Sequence, residues 1–291
     1  MDLTWLGHSC FRIRSDETSI ITDPFPPSIG LELRESAPTL ATVSHRHPNH
    51  SCREALSGDP RVLDGPGEYE LSGIYVTGVM TPKGESDPPG KRNTAYLFEI
   101  ERLRVCHLGD VSARLSPRQV QELSPMDILL IPVGGGCTIS ASGAAEMVRA
   151  LGPRVVVPMH YRLPGLQSAA PPSPADASAP APDDQGEASP HDEQESGNSS
   201  GETEGIRQLG LEGLAPSFQP APAAPPAQVE EHPQEEPPSV RSVELGAVDD
   251  FLREMGLRDV APQPRLTISA TSLPAELRVV LLEPRGLPRS A

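Results

Sequence analysis

Within six residues, His45-Arg46-His47-Pro48-Asn49-His50, the chain places three imidazoles at spacings of two and three. A short turn with that spacing can aim all three rings at one point. Imidazole nitrogen suits zinc, iron, copper and nickel, and an Asn or Asp oxygen from the same turn extends the donor set. The whole chain holds 8 histidines, so three in six residues is a concentration that an incidental surface turn does not explain. A divalent ion held there with an open position lowers the pKa of bound water toward ~7, which is the chemistry of a metal-dependent hydrolase.

Such a turn needs a rigid support. The apolar run Leu40 to Val43 immediately before it reads as a buried strand, which puts the histidines at a strand's C-terminal edge, where open α/β sheets bind ligands. Short runs bounded by Gly and Pro predict further strands near 3–6, 10–13, 18–22, 61–63, 74–79, 94–100, 103–108, 127–132 and 154–158, and near the end of the chain 266–269 and 278–282. Ser116-Pro117-Arg118-Gln119 opens a helix, with Ser as N-cap, Pro at the first helical position and Gln three residues after the cap. A second helix is expected over 142–151, where Ala144, Met147, Val148 and Leu151 make one apolar face. A third carries Val248, Phe251, Leu252 and Met255 and stops at Gly256.

Composition divides the chain. Between Ser168 and Val240, 14 acidic residues and one base, Arg207, carry −13 of the net −16, and the same stretch holds 14 prolines. It cannot bury enough apolar surface to offset its ordering entropy, so 168–240 is expected to be a disordered acidic insert between a main part, 1–167, and a C-terminal part, 241–291, of one domain. Without the insert the net charge is only −3, so the low pI says nothing about the substrate. No basic track for nucleic acid is present. An apolar island at 205–214 is a candidate docking segment for a protein partner, although its three glycines disfavour a helix.

The start, MDLTWLGHSC, lacks a basic and apolar leader, and no segment approaches the ~18 apolar residues of a membrane span, so a cytoplasmic protein with reduced thiols and no membrane partner is expected. Cys106 reads as core. Cys137, after Gly134-Gly135-Gly136, reads as a packing residue, the alternative being a place nearer the site, and the glycines themselves read as a tight turn.

HRHPNH resembles the HxHxDH signature of the metallo-β-lactamase fold, with Asn49 where the family has Asp. Trp5-Leu6-Gly7-His8-Ser9, Thr22-Asp23-Pro24, Gly65-Pro66-Gly67-Glu68-Tyr69, His107-Leu108-Gly109-Asp110 and Pro158-Met159-His160-Tyr161 extend the resemblance, in order and spacing, to the branch of small bacterial metal-dependent hydrolases that includes the ascorbate-phosphate lactonase-like proteins. It covers about residues 1–166 and, more weakly, 243–285. It implies an α+β fold, a four-layer αββα sandwich of the metallo-β-lactamase type.

The resemblance also implies a ligand set: His45 and His47 for a first ion, His50 and His160 for a second, and Asp110 between them. Asn49 removes a carboxylate from the second site, and the loop from Met80 to Asp87 contains no His where the first site expects one. Two divalent ions at ~3.5–4 Å repel and need anionic ligands, so one ion is expected rather than two, held by His50, His160 and Asp110 with Asn49 as a weak neutral donor. Glu85 or Asp87 swinging in would restore the second ion. Zinc is the expected metal, with manganese or iron as alternatives.

The expected activity is hydrolysis of a small ester, lactone or phosphoester by a metal-bound hydroxide, with Asp110 orienting the water and His47 as candidate acid. The alternative is a non-catalytic relative with a vestigial metal site and an interaction arm. His8 is open between hydrogen-bonding a ligand and plain structural support. His107, three residues before Asp110 in one strand, is assigned by alternation to the opposite face and to a structural role.

Overall fold

In the computed structural model, which describes residues 1–15, 18–33, 37–71, 73–81, 92–163 and 245–287, the alternating apolar residues form thirteen strands and three α-helices. The strands are β1 (Asp2–Gly7), β2 (Cys10–Arg14), β3 (Ser19–Thr22), β4 (Leu40–Thr42), β5 (Arg61–Leu63), β6 (Gly67–Leu71), β7 (Ile74–Thr81), β8 (Asn93–Ile100), β9 (Leu103–His107), β10 (Ile128–Pro132), β11 (Val155–Met159), β12 (Leu266–Thr267) and β13 (Arg278–Val279). The helices are α1 (Pro117–Leu123), α2 (Ala141–Leu151) and α3 (Val248–Glu254).

The strands build two mixed sheets, β12-β1-β2-β3-β4-β5 and β13-β11-β10-β9-β8-β7-β6. Period-two alternation decides which side chains meet. Trp5, Phe11, Ile13 and Ile20 from the first sheet share a buried cluster with Tyr96, Phe98, Ile128, Leu130 and Val157 from the second. The intervening residues Leu97, Cys106, Leu129, Ile131 and Val156 point the other way and pack on Ala144, Met147, Val148 and Phe251 of the helices. The parallel strands β10 and β11 are therefore buried on both faces, which is why they read as continuous apolar runs. This is the α+β sandwich the resemblance implies. The crossovers joining the parallel strands β3, β4 and β5 carry 3-10 turns, Pro27–Ile29 and Arg53–Ala55.

Helix α1 has the expected capping box, the Ser116 hydroxyl accepting from the Gln119 amide while the Gln119 side chain accepts from the Ser116 amide. The C-terminal strands pair with N-terminal ones, β12 with β1 (Leu3 opposite Leu266) and β13 with β11 (Val156 opposite Val279). They are shorter than the sequence suggests. Strand β6 is an addition: its Glu68 and Glu70 are exposed, leaving Tyr69 and Leu71 too short an apolar pattern to announce a strand. The insert 168–240, the segment 205–214 and the residues Glu85 and Asp87 lie outside the described residues.

Candidate metal centre

Strand β4 ends at Thr42, and the chain then turns while tied to both sheets. The Val43 amide donates to Leu63 O at 2.8 Å and the Thr94 amide, in β8, donates to Ser44 O at 2.7 Å. Two short bonds wind the histidine turn, His47 N to His45 O at 2.9 Å and His50 N to His47 O at 2.8 Å. His45 and His50 are buried with ring centroids 4.4 Å apart, His47 is exposed and Asn49 half-buried.

Three other strand ends meet this turn. Asp110 follows β9 on a turn whose Gly109 has φ +57°, and a Cβ there would sit 2.4 Å from both Asn93 Oδ1 and Ser44 Cβ. Asn93, fully buried at the start of β8, accepts from the Asp110 amide at 2.8 Å and donates to Leu108 O at 2.8 Å. His160 follows β11 and His8 joins β1 to β2. The His160 amide donates to His8 O at 3.1 Å, and the same carbonyl accepts from Trp5 Nε1 at 3.0 Å.

The side chains then converge on one carboxylate. His50 Nε2 lies 3.3 Å and His45 Nε2 3.7 Å from Asp110 Oδ2, while His160 Nε2 lies 3.4 Å from Asp110 Oδ1. His8 Nε2 lies 3.0 Å from His50 Nε2. Ligand atoms of His8, His50 and His160 fall within 4.8 Å of one another, as do those of His45, His47 and His50, and those of Asp110, Cys137 and His160.

The hydrogen-bond network assigns tautomers. Asp23, at the end of β3, accepts from the Ser44 amide at 2.8 Å, the Ser44 hydroxyl at 2.6 Å and His50 Nδ1 at 2.9 Å. With its one proton given to Asp23, the Ser44 hydroxyl can only accept from His45 Nδ1 at 3.1 Å. Both Nδ1 atoms thus carry protons, and both Nε2 lone pairs face the Asp110 carboxylate. Electron pairs converging on an anion repel unless a proton or a metal ion stands between them; a neutral His8 can satisfy the His50 lone pair with its own Nε2–H, while the His45 lone pair still faces Asp110 Oδ2 across 3.7 Å. A second buried carboxylate or carbonyl locking the far nitrogen is the usual support of a metal-binding histidine. The donor set therefore fits a divalent ion.

Burial disfavours the proton alternative at His8, whose pKa is pushed well below the ordinary imidazole value, first by desolvation and then by His160 and His50 beside it. A neutral imidazole is the form that binds a metal. Burial raises the Asp23 pKa, while His107, Ser44 and His45 pull it back down.

Of the residues the sequence singles out, His45, His50, Asp110 and His160 come together. His47 stands at the exposed edge, its Nδ1 accepting from the Asn49 amide at 3.3 Å. That backbone bond is where the structure ties Asn49 to the site.

Two expectations change, for His107 and Cys137, and the open one for His8 falls on the side of hydrogen bonding. Strand β9 ends at His107, so Asp110 lies beyond it and alternation does not relate the two; His107 is nonetheless buried, with Nε2 2.8 Å from Ser9 O. His8 makes direct contact with His50. Cys137 is exposed and borders Asp110 and His160, so it is not a packing residue. Sequence reasoning used Asp23 only as a point of resemblance and passed over Asn93. Asp23 carried a signal, an acid directly after an apolar strand; a lone Asn opening a strand carries none.

A family model described as the Beta-lactamase superfamily domain matches residues 2–160. A UPF0173 protein of Pyrococcus furiosus is 32% identical over 196 residues, 59% of this chain and 87% of the relative. A UPF0173 metal-dependent hydrolase of Methanoculleus marisnigri is 31% identical over 185 residues, 55% of this chain and 81% of its own length. Among solved structures, a candidate Zn-dependent hydrolase of the metallo-beta-lactamase superfamily from Thermotoga maritima superposes with a TM-score of 0.59 at 26% identity, covering 97% of each chain.

Proposed function

We propose, for a chain that belongs to the Beta-lactamase superfamily domain family, a metal-dependent hydrolase that holds one zinc ion and acts on a small ester, lactone or phosphoester. The observation that carries this is the convergence of His50 and His160 on the two oxygens of Asp110, with His45 beside them and the His50 ring fixed from behind by Asp23. His50, His160 and Asp110 hold the ion, His8 closes the floor of the site against His50, and Asn49 adds a neutral oxygen. A divalent ion there supplies Lewis acidity and a water whose pKa falls toward ~7. Manganese and iron are the alternative metals.

The chain's own groups do the rest. Asp110, gripped through its amide by Asn93, keeps its carboxylate aimed at the donor cluster. Asp23 keeps the His50 proton on Nδ1 and so keeps Nε2 ligand-competent. His47, exposed at the rim, is placed to give a proton to a departing oxygen. Among the described residues no helix is long and apolar enough to cross a membrane. A small-molecule substrate in the cytoplasm, without nucleic acid, completes the proposal.

Zinc-loaded protein assayed against esters, lactones and phosphoesters tests it. Turnover that is lost on chelation and in Asp110→Ala is expected. Full zinc loading without turnover on any class overturns the catalytic assignment and favours the vestigial site that Asn49 suggests.

A further inference from the structure

Asn49 removes one negative charge from the metal-binding turn, and a divalent ion needs that charge returned from elsewhere. Asp110 alone leaves an ion among neutral imidazoles with a net positive site. Asp23 is engaged behind His50, and among the described residues the loop after β10 brings a further group that can become an anion beside Asp110 and His160, the Cys137 thiol. Its sulfur lies within 4.8 Å of the ligand atoms of both, and those atoms are equally close to each other.

The loop is built to hold it there. The Gly134 amide donates to His160 O at 3.2 Å, and a Cβ at Gly134 would stand 2.3 Å from that same carbonyl, so only glycine permits the approach. Gly135 and Gly136 both turn through φ +68°. Thr138 closes the turn by donating its amide to Gly135 O at 3.1 Å, and the Ile139 amide donates to Val111 O at 2.8 Å, one residue beyond Asp110. The turn is therefore pinned to His160 on one side and to the Asp110 segment on the other, with Cys137 between the pins. His160 is 2% exposed; its Nε2 faces Asp110 Oδ1 at 3.4 Å, and among the described residues its buried Nδ1 has no hydrogen-bond partner, an unsatisfied polar atom that folded proteins rarely tolerate.

We infer that Cys137 is a metal ligand of this chain, its thiolate joining Asp110 and His160 and supplying the anionic donor that Asn49 withholds. This rests on the metal-centre assignment above and sharpens it. Ligation transfers the thiol proton to solvent, so two anionic donors neutralise a divalent ion. A thiolate also selects the metal: sulfur with imidazole and carboxylate favours zinc or cobalt and disfavours manganese and magnesium. The three glycines before Cys137 thereby acquire a function beyond a tight turn.

Titration of metal-free protein with Co(II) reads the thiolate directly. The expected result is one bound ion with a sulfur-to-cobalt charge-transfer band in the near ultraviolet, absent in Cys137→Ala and in Cys137→Ser, with zinc affinity in both variants lower by on the order of 100-fold. Zinc should also protect Cys137 from alkylation by N-ethylmaleimide, as followed by peptide mass. Co(II) bound without the band, with zinc affinity unchanged in both variants, overturns Cys137 as a ligand and leaves the metal centre standing. No bound metal in folded, unmodified protein overturns both.

Discussion

His50 donates its Nδ1 proton to Asp23 Oδ2 across 2.9 Å, and both side chains are almost wholly buried. The bond joins the ends of β3 and β4, so the sheet itself dictates which nitrogen of His50 is available for a metal. Asp23→Asn keeps the shape but offers either an oxygen or an NH2 to His50 and also disturbs the bonds from Ser44. Zinc affinity is expected to fall about 10- to 100-fold with little loss of far-ultraviolet circular dichroism. Unchanged affinity in a chelator competition would show that the ring is oriented by packing alone.

Tyr96 supports the same turn from the second sheet. Its hydroxyl lies 3.1 Å from both Val43 O and Leu63 O, bridging the ends of β4 and β5 directly before His45. Burial raises its pKa, so the hydroxyl stays protonated and donates. Tyr96→Phe is expected to lower unfolding free energy by about 1–3 kcal/mol, the cost of leaving a buried carbonyl without its donor. Urea denaturation of metal-free protein checks this, and a midpoint equal to that of the unmodified chain would refute it.

Acid should weaken the metal-free fold through His107. Burial holds its pKa below the ordinary imidazole value, against smaller raising effects from Asp23 and Ser9. The unfolded chain binds that proton near pH 6.5, so below about pH 6.5 the unfolded state holds more protons than the folded one. The stabilisation is fully present above that pH and is lost as pH falls toward the folded value. His8 has the same sign; Asp23, raised by burial, has the opposite one and regains some stability at the acid end. Melting temperature is expected to drop between about pH 7 and about pH 5, and His107→Gln, which keeps a donor for Ser9 O, should reduce the drop. An identical pH profile in the variant would remove His107 from the account.

Much of this architecture is legible in the residues. The run Leu40 to Val43, the Ser116 capping box and the stripe Ala144, Met147, Val148, Leu151 each have a local cause, and each stands where the sequence puts it. So does the gathering of His45, His50, Asp110 and His160, because each sits just past a strand end. His8, Cys137 and Asn93 were not assigned their places in advance. Their importance comes from hydrogen bonds and contacts between residues far apart in the chain, His8 to His160, Asn93 to Asp110 and Cys137 beside both Asp110 and His160, which no local pattern encodes. Strand β9 ends before its apolar run does, since that run continues through Leu108 while pairing with β8 stops at His107.

Metal content decides the central claim. Protein purified without added metal, and protein reloaded with excess zinc and then desalted, should each be measured by elemental analysis beside His50→Ala, Asp110→Ala, His160→Ala and His47→Ala. About one divalent ion per chain is expected in the unmodified protein and in His47→Ala, and none surviving desalting in the other three, since each of those removes a principal donor of the proposed site. Two tightly held ions in the unmodified chain, or full retention in Asp110→Ala, would contradict a single metal centred on Asp110.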